Sequence, residues 1–247
     1  MKVKVLEKDP THVKFEIDGT NPAFVNSLRR TILCRVPTLA IDEVTFVKNT
    51  SGLFDESLAH RLGLIPWKFD PKTFRRDENV EFSLKAKGPV EVKAKNIKFP
   101  KGIEPVNPDL LVISLYKDQE IDLEANARLG EGMDHAKWQS AVVSYQYCPE
   151  IKIGPVKNAK EISDACPTNV FEVKGSKLNI SDLNACSICQ RCADLSEGKI
   201  EVSDRADKFI FSVESVSGLT PKEIVLEALK ILNEEVEDFK DSLKTLK

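Results

Sequence analysis

Three of the chain's six cysteines, Cys186, Cys189 and Cys192, fall inside seven residues with the spacing C-x2-C-x2-C, and a fourth, Cys166, stands upstream directly before Pro167. This constellation restricts the fold more than any other feature of the sequence. Three thiolates so spaced can wrap one face of a cuboidal iron–sulfur cluster, and a remote cysteine completes the set. A zinc site would use the same four ligands, although four-cysteine zinc sites usually come as two separated C-x2-C pairs. The pattern therefore predicts one iron–sulfur cluster on Cys166, Cys186, Cys189 and Cys192, with 4Fe–4S favoured over 3Fe–4S and zinc as the alternative. Cys34, among apolar residues, is expected to be a buried filler, and Cys148, next to Pro149, to be structural.

The surroundings fit a metal better than a disulfide. No apolar run approaches the ~18–20 residues that a membrane span needs. The opening Met1-Lys2-Val3-Lys4-Val5 alternates like a strand and lacks the apolar stretch of a signal peptide. A cytoplasmic, reducing setting is expected, and clustered thiols there bind metal more often than they cross-link. The segment also resembles a two-cluster ferredoxin that keeps one site. Val156, Ala159 and Ile162 occupy the places of a first triplet, and Ser196 that of a second cysteine before proline. A segment of ~40 residues is too short to build its own core, so a cluster would act as its staple.

Hydrophobic periodicity lays out the rest. Val3/Val5 and Val13/Phe15/Ile17 alternate as strands around the Asp9-Pro10 turn. Asn21-Pro22 starts a helix with Phe24, Leu28 and Ile32 on one face, ending before Pro37. A short helix is expected from Asp55 to Leu62, stopped by Gly63. Val80/Phe82/Leu84, Val90/Val92/Ala94, Leu110 to Tyr116 and Val143/Tyr145/Tyr147 read as strands. After the capping box Thr220-Pro221-Lys222-Glu223, the residues Val225, Leu229, Leu232, Val236, Phe239, Leu243 and Leu246 repeat at intervals of 4 and 3. Such a seam either covers the helix's own sheet or meets a partner helix. A helix of ~27 residues would be ~40 Å long, more than a small sheet can cover.

Catalysis by this chain has no support in the sequence. His12, His60 and His135 are scattered, and no nucleophile elbow, phosphate-cradling glycine loop or H-E-x-x-H motif occurs. With 36 Lys+Arg against 39 Asp+Glu, the net charge of −3 gives no field to draw the chain onto nucleic acid.

Three stretches in order carry a family resemblance. They are N-P-A-F-V-N-S-L-R-R-T-I-L (21–33) with V-P-T-L-A-I-D-E-V (36–44), L-F-D-E-S-L-A-H-R-L-G-L-I-P (53–66) and G-M-D-H-A-K-W (132–138). Together they resemble the D-subunit family of archaeal DNA-directed RNA polymerase, relatives of the third-largest subunit of eukaryotic RNA polymerase II and of the bacterial alpha N-terminal domain. The resemblance implies an α+β fold. A discontinuous α/β dimerisation domain (1–41 and 204–247) would carry an inserted β-rich domain (42–155 and 196–203), with a small ferredoxin-like iron–sulfur domain at 156–195. It implies a non-catalytic scaffold within a nucleotidyltransferase complex. The small L subunit would pair along Val225, Leu229, Leu232, Val236, Phe239 and Leu243, and the catalytic B subunit and small N and P subunits would build on that pair. Arg29 and Arg30 match the family's signature helix at the assembly surface, and His60 and Arg61 match its second motif. Ser140 departs from the family pattern, which implies proline there. Direct nucleic-acid or membrane binding is not expected. A ferredoxin-like electron carrier or a zinc-bound interaction module would explain the cysteines but not the N-x-L-R-R helix or the seam.

Overall fold

The computed structural model describes residues 1–71, 73–74 and 78–244. Strands β1 (Lys2–Lys8) and β2 (His12–Asp18) precede helix α1 (Pro22–Cys34), strand β3 (Thr38–Asn49) and helix α2 (Asp55–Gly63). There follow β4 (Trp67–Lys68), β5 (Val80–Lys87), β6 (Val90–Lys93), β7 (Glu104–Pro105), β8 (Leu111–Leu115), β9 (Glu120–Gly130) and β10 (Ala141–Ile153). Then come α3 (Ala159–Asp164), β11 (Phe171–Lys174), β12 (Lys177–Ile180), α4 (Arg191–Leu195), β13 (Ile200–Ser215) and α5 (Pro221–Lys244). Helices and strands are mixed, as the sequence predicts. The chain forms two compact units, Met1–Lys8, Lys14–Asn26 and Ser144–Ser212 in one, Asp9–Val13, Ser27–Val143 and Val213–Lys247 in the other.

The first unit is built on a sheet with strand order β1-β2-β13-β10. Phe209, Ile210 and Phe211 are buried in succession, so β13 is covered on both faces at that point. Phe15 and Tyr145 pack against Phe211, with centroids at 5.4 and 6.4 Å. The segment from α3 to α4 shares a small core with the strands that flank it. Ala159, Ile162, Val170, Phe171, Leu178, Ile200 and two cysteines, Cys186 and Cys192, form a small buried cluster. The β11–β12 hairpin, paired from Phe171↔Ile180 to Lys174↔Lys177, closes one side of it. Ala159 and Ile162, where a first triplet would fall, contribute apolar volume to the cluster. Ser196, also buried, takes the Ile200 N–H at 2.9 Å and donates to the Ala193 carbonyl at 3.0 Å.

The second unit holds the antiparallel sheet β3-β9-β5, with Ile41 and Val80 both opposite Ala127. Alternation along β5 and β9 buries Val80, Phe82, Leu84, Ile121, Leu123, Ala125 and Ala127. Helix α2 buries Leu58 and Leu62 four residues apart. It runs one residue beyond its expected stop, because Gly63 stays helical and Leu64 caps it in a right-handed conformation. Of the expected face of α1, Leu28 and Ile32 are buried, while Phe24 is only half-buried and Val25 is buried beside it. Asn21 does cap this helix, its Oδ1 accepting the Phe24 N–H at 2.9 Å.

Ser140 explains its own departure from the family pattern. Fully buried, its hydroxyl donates to the Ile32 carbonyl at 2.7 Å, in the last turn of α1, where carbonyls lack intrahelical partners. Proline would bring no donor. Ser140→Ala should lower the unfolding free energy by about 1–3 kcal/mol, the cost of an orphaned buried acceptor. Urea denaturation with an unchanged m-value is the check.

Candidate assembly surface and cysteine site

Helix α5 opens with the expected capping box: the Thr220 N–H donates to Glu223 Oε2 at 2.8 Å, and the Glu223 N–H to Thr220 Oγ1 at 3.4 Å. Ile224, Ala228 and Ile231 form the buried stripe of the helix. The heptad seam beside them is not the buried face. Val225 and Leu232 are half-buried, Leu229 and Leu243 are exposed, and Val236 and Phe239 are 51% and 65% exposed. The last seam residue of the sequence reading, Leu246, lies outside the described residues. The helix thus carries two adjacent stripes, one spent on the fold and one left at the surface. Beyond Leu232 every described residue of α5 is exposed.

The basic motif residues lie on this same unit. Arg29 is half-buried and Arg30 exposed on α1. His60 and Arg61 are exposed in the last turn of α2, where positive charge suits the helix C-terminus, and the Arg61 guanidinium donates to the Leu111 carbonyl at 3.1 Å. The third motif is a fastening. Trp138 is buried with the Arg128 guanidinium 4.4 Å and the Lys137 ammonium 4.3 Å from its ring centroid. Asp42 receives Arg128 Nε at 2.6 Å and Lys137 Nζ at 2.5 Å. Gly130 is required beneath the ring, since a Cβ there would stand 2.3 Å from it. Of the remaining histidines, the His135 Nδ1 accepts the Lys137 N–H at 3.0 Å, a structural role.

Burial works to raise the Asp42 carboxyl, but hydrogen bonds and charge from Lys137 and Arg128 outweigh it and hold the group below the usual carboxylate range. A depressed carboxyl stabilises the fold above its unfolded pKa of about 4 and loses that contribution as pH falls through the folded value. Asp42→Asn should therefore cost about 1–3 kcal/mol at pH 7. The gap to the parent should narrow in denaturation curves taken progressively below pH 4.

In the first unit, Cys166, Cys186, Cys189 and Cys192 line one small pocket together with Thr168 and Val170. Cys186 and Cys192 are buried, Cys166 is half-buried and Cys189 exposed. The Ile188 N–H points at Cys186 Sγ and the Val170 N–H at Cys166 Sγ, both at 3.4 Å. On either side of Cys189, Ile188 (φ 56°) and Gln190 (φ 64°) are left-handed, a costly backbone for a β-branched residue. That geometry turns the chain so that three cysteines three positions apart face one space. Burial pushes the Cys186 and Cys192 thiols up. Burial acts the same way on Cys166, but the amides of Val170, Thr168 and Asn169 and the Thr168 hydroxyl outweigh it and leave that thiol below its ordinary value. Among the described residues, no three His, Cys, Asp or Glu side chains converge closely enough for a single metal ion. Cys148 is buried elsewhere in this unit, its thiol raised by burial, and Cys34 ends α1 half-buried.

Two contributors escaped the sequence reading. The Asp42–Arg128–Lys137 network joins residues 86 and 95 positions apart, a separation that no local pattern signals. Ser140, noted only as a departure, is a buried hydrogen-bond donor.

Known proteins with this pattern are specific. The sequence model of the RNA polymerase Rpb3/Rpb11 dimerisation domain matches residues 14–236. DNA-directed RNA polymerase subunit Rpo3 of Thermococcus kodakarensis is 36% identical over 256 residues, spanning 100% of this chain and 99% of that one. The Rpo3 subunits of Pyrococcus furiosus (35% over 257 residues, 100% and 98%) and Methanosphaera stadtmanae (33% over 262 residues, 97% and 97%) match at similar length. Full-length identity at this level, the matched dimerisation domain and the three motifs in order lead to a single assignment: the chain belongs to the archaeal Rpo3, or D-subunit, family of DNA-directed RNA polymerase.

Proposed function

We propose that the chain is a non-catalytic assembly subunit of an archaeal DNA-directed RNA polymerase, acting in the cytoplasm as the platform on which the enzyme is built. The seam of α5 pairs with the small L subunit, and the pair receives the catalytic B subunit with the small N and P subunits, for which Arg29, Arg30, His60 and Arg61 serve as contact residues. The observation that carries this reading is the exposed apolar seam beside a buried stripe on one helix. A helix serving its own fold alone has no use for Val236 and Phe239 at its surface. The domain organisation that goes with it is 1–41 and 204–247 for dimerisation, 42–155 and 196–203 for the β-rich insert, and 156–195 for the ferredoxin-like segment.

In this reading Cys166, Cys186, Cys189 and Cys192 hold one iron–sulfur cluster, 4Fe–4S when all four thiolates bind and 3Fe–4S when one stays free. Its fit rests on four cysteines around one pocket and two amides donating to their sulfurs. Zinc, the alternative occupant, would use the same four thiolates. When bound, the cluster supplies iron–thiolate bonds that tie the Cys166 turn to the 186–192 segment. Co-expression with the L subunit tests the first part. A one-to-one heterodimer by light scattering is expected, and a chain that stays alone or self-associates refutes it. Anaerobic purification tests the second: about four iron and four sulfide per chain are expected, and zinc in their place refutes it.

A further inference from the structure

The side of α5 away from the seam faces a groove of about 1230 Å³ within the second unit, larger than the few hundred to a thousand Å³ of small-molecule pockets. Its floor is apolar, with Phe69, Leu129, Leu219 and Ile231 buried and Leu226 left 55% exposed. Its rim is acidic: Glu223, Glu227, Glu234, Glu235 and Asp238 line it from α5, and Asp70 and Glu104 from the opposite wall. Against these seven carboxylates stand three cations among the described lining residues, Arg35, Lys68 and Lys230. Two of them are already engaged, Arg35 with Glu131 and Glu235, Lys230 with Glu227 and Glu234. At 100° per residue, Glu227, Glu234 and Asp238 lie roughly 180° around the helix from Val225, Val236 and Leu243. One helix thus offers an apolar seam on one side and an acidic, apolar-floored channel on the other.

We propose that this groove is a second docking site on α5, filled by a cationic amphipathic segment of another polymerase subunit. The inference rests on the scaffold function proposed above and deepens it by giving α5 two partners. The charge of the lining selects the occupant. Among the described lining residues the surplus of carboxylates repels nucleic-acid phosphates and anionic membranes and attracts lysine and arginine. The floor needs leucine-like side chains to displace water from Leu226, and the size exceeds that of a small ligand. Because the two faces are opposed, L can sit on the seam while the second partner lies in the groove.

The test uses the assembled polymerase with a photo-crosslinking amino acid in place of Leu226, peptides being identified by mass spectrometry. A crosslink to a segment of another subunit with lysine or arginine interleaved among apolar residues is the expected result. A crosslink only within this chain, only to an acidic or uncharged segment, or to nothing overturns the proposal. In the double variant Glu227→Lys/Glu234→Lys, crosslinking should fall about tenfold while the pair with L forms as before. If pairing with L never occurs in the parent chain, the scaffold reading itself has failed. If pairing occurs and crosslinking is insensitive to the charge reversal, only the groove proposal falls.

Discussion

The double substitution Val236→Asp/Phe239→Asp is expected to abolish pairing with the L subunit and to leave the chain folded. Both side chains are exposed in the free protein, so nothing in its own core is lost. At a helix–helix interface each would leave water at a gain of about 1.5–3 kcal/mol. Losing both gains weakens the pair by roughly 10²–10⁴ in Kd, before the cost of burying two carboxylates is added. The contrasting variant is Ile224→Asp, on the buried stripe of the same helix, which should destabilise the fold instead. Circular dichroism and calorimetry separate the two cases. Unchanged L affinity in a folded Val236→Asp/Phe239→Asp chain would remove the seam from the interface.

Cys186→Ser is expected to empty the cysteine site and loosen the segment around it. Cys186 is both a proposed ligand and a member of the buried cluster, and its sulfur accepts the Ile188 N–H. Serine places a hydroxyl where that cluster is apolar and offers a poor ligand, so two contributions vanish together. Iron per chain should fall to less than about a quarter of the parent value. Limited proteolysis should open new cleavage sites between residues 156 and 200. Cys34→Ser is the control, because Cys34 does not line the cysteine pocket, and should retain iron. If Cys186→Ser keeps parental protease resistance, the metal is not a staple for this segment.

The elements legible in the sequence were those set by local chemistry. Asn21-Pro22 and the Thr220 capping box announce helix starts because the donors they satisfy lie within three residues. The 4-3 repeat of α5 announces a helix with an apolar face. It does not say which of two adjacent stripes turns inward, since Ile224/Ala228/Ile231 and Val225/Leu229/Leu232 differ by one residue of rotation. That choice is made by the shape of the unit against which the helix lies. The Asp42–Arg128–Lys137 network and the Ser140–Ile32 bond were illegible for a related reason, as strand register and chain crossings decide them. The cysteine spacing pointed to one shared site, and the structure brings all four cysteines to the lining of one pocket. The small apolar core beneath them was not foreseen, because its members, from Ala159 to Ile200, carry no periodicity and gather only through the β11–β12 hairpin.

Purification of the tagged chain from an archaeal cell, with subunit stoichiometry by quantitative mass spectrometry, tests the central claim most directly. The account predicts one L subunit per chain and the B, N and P subunits in the same complex. A tagged chain recovered as a homodimer, or free of every polymerase subunit, would contradict it.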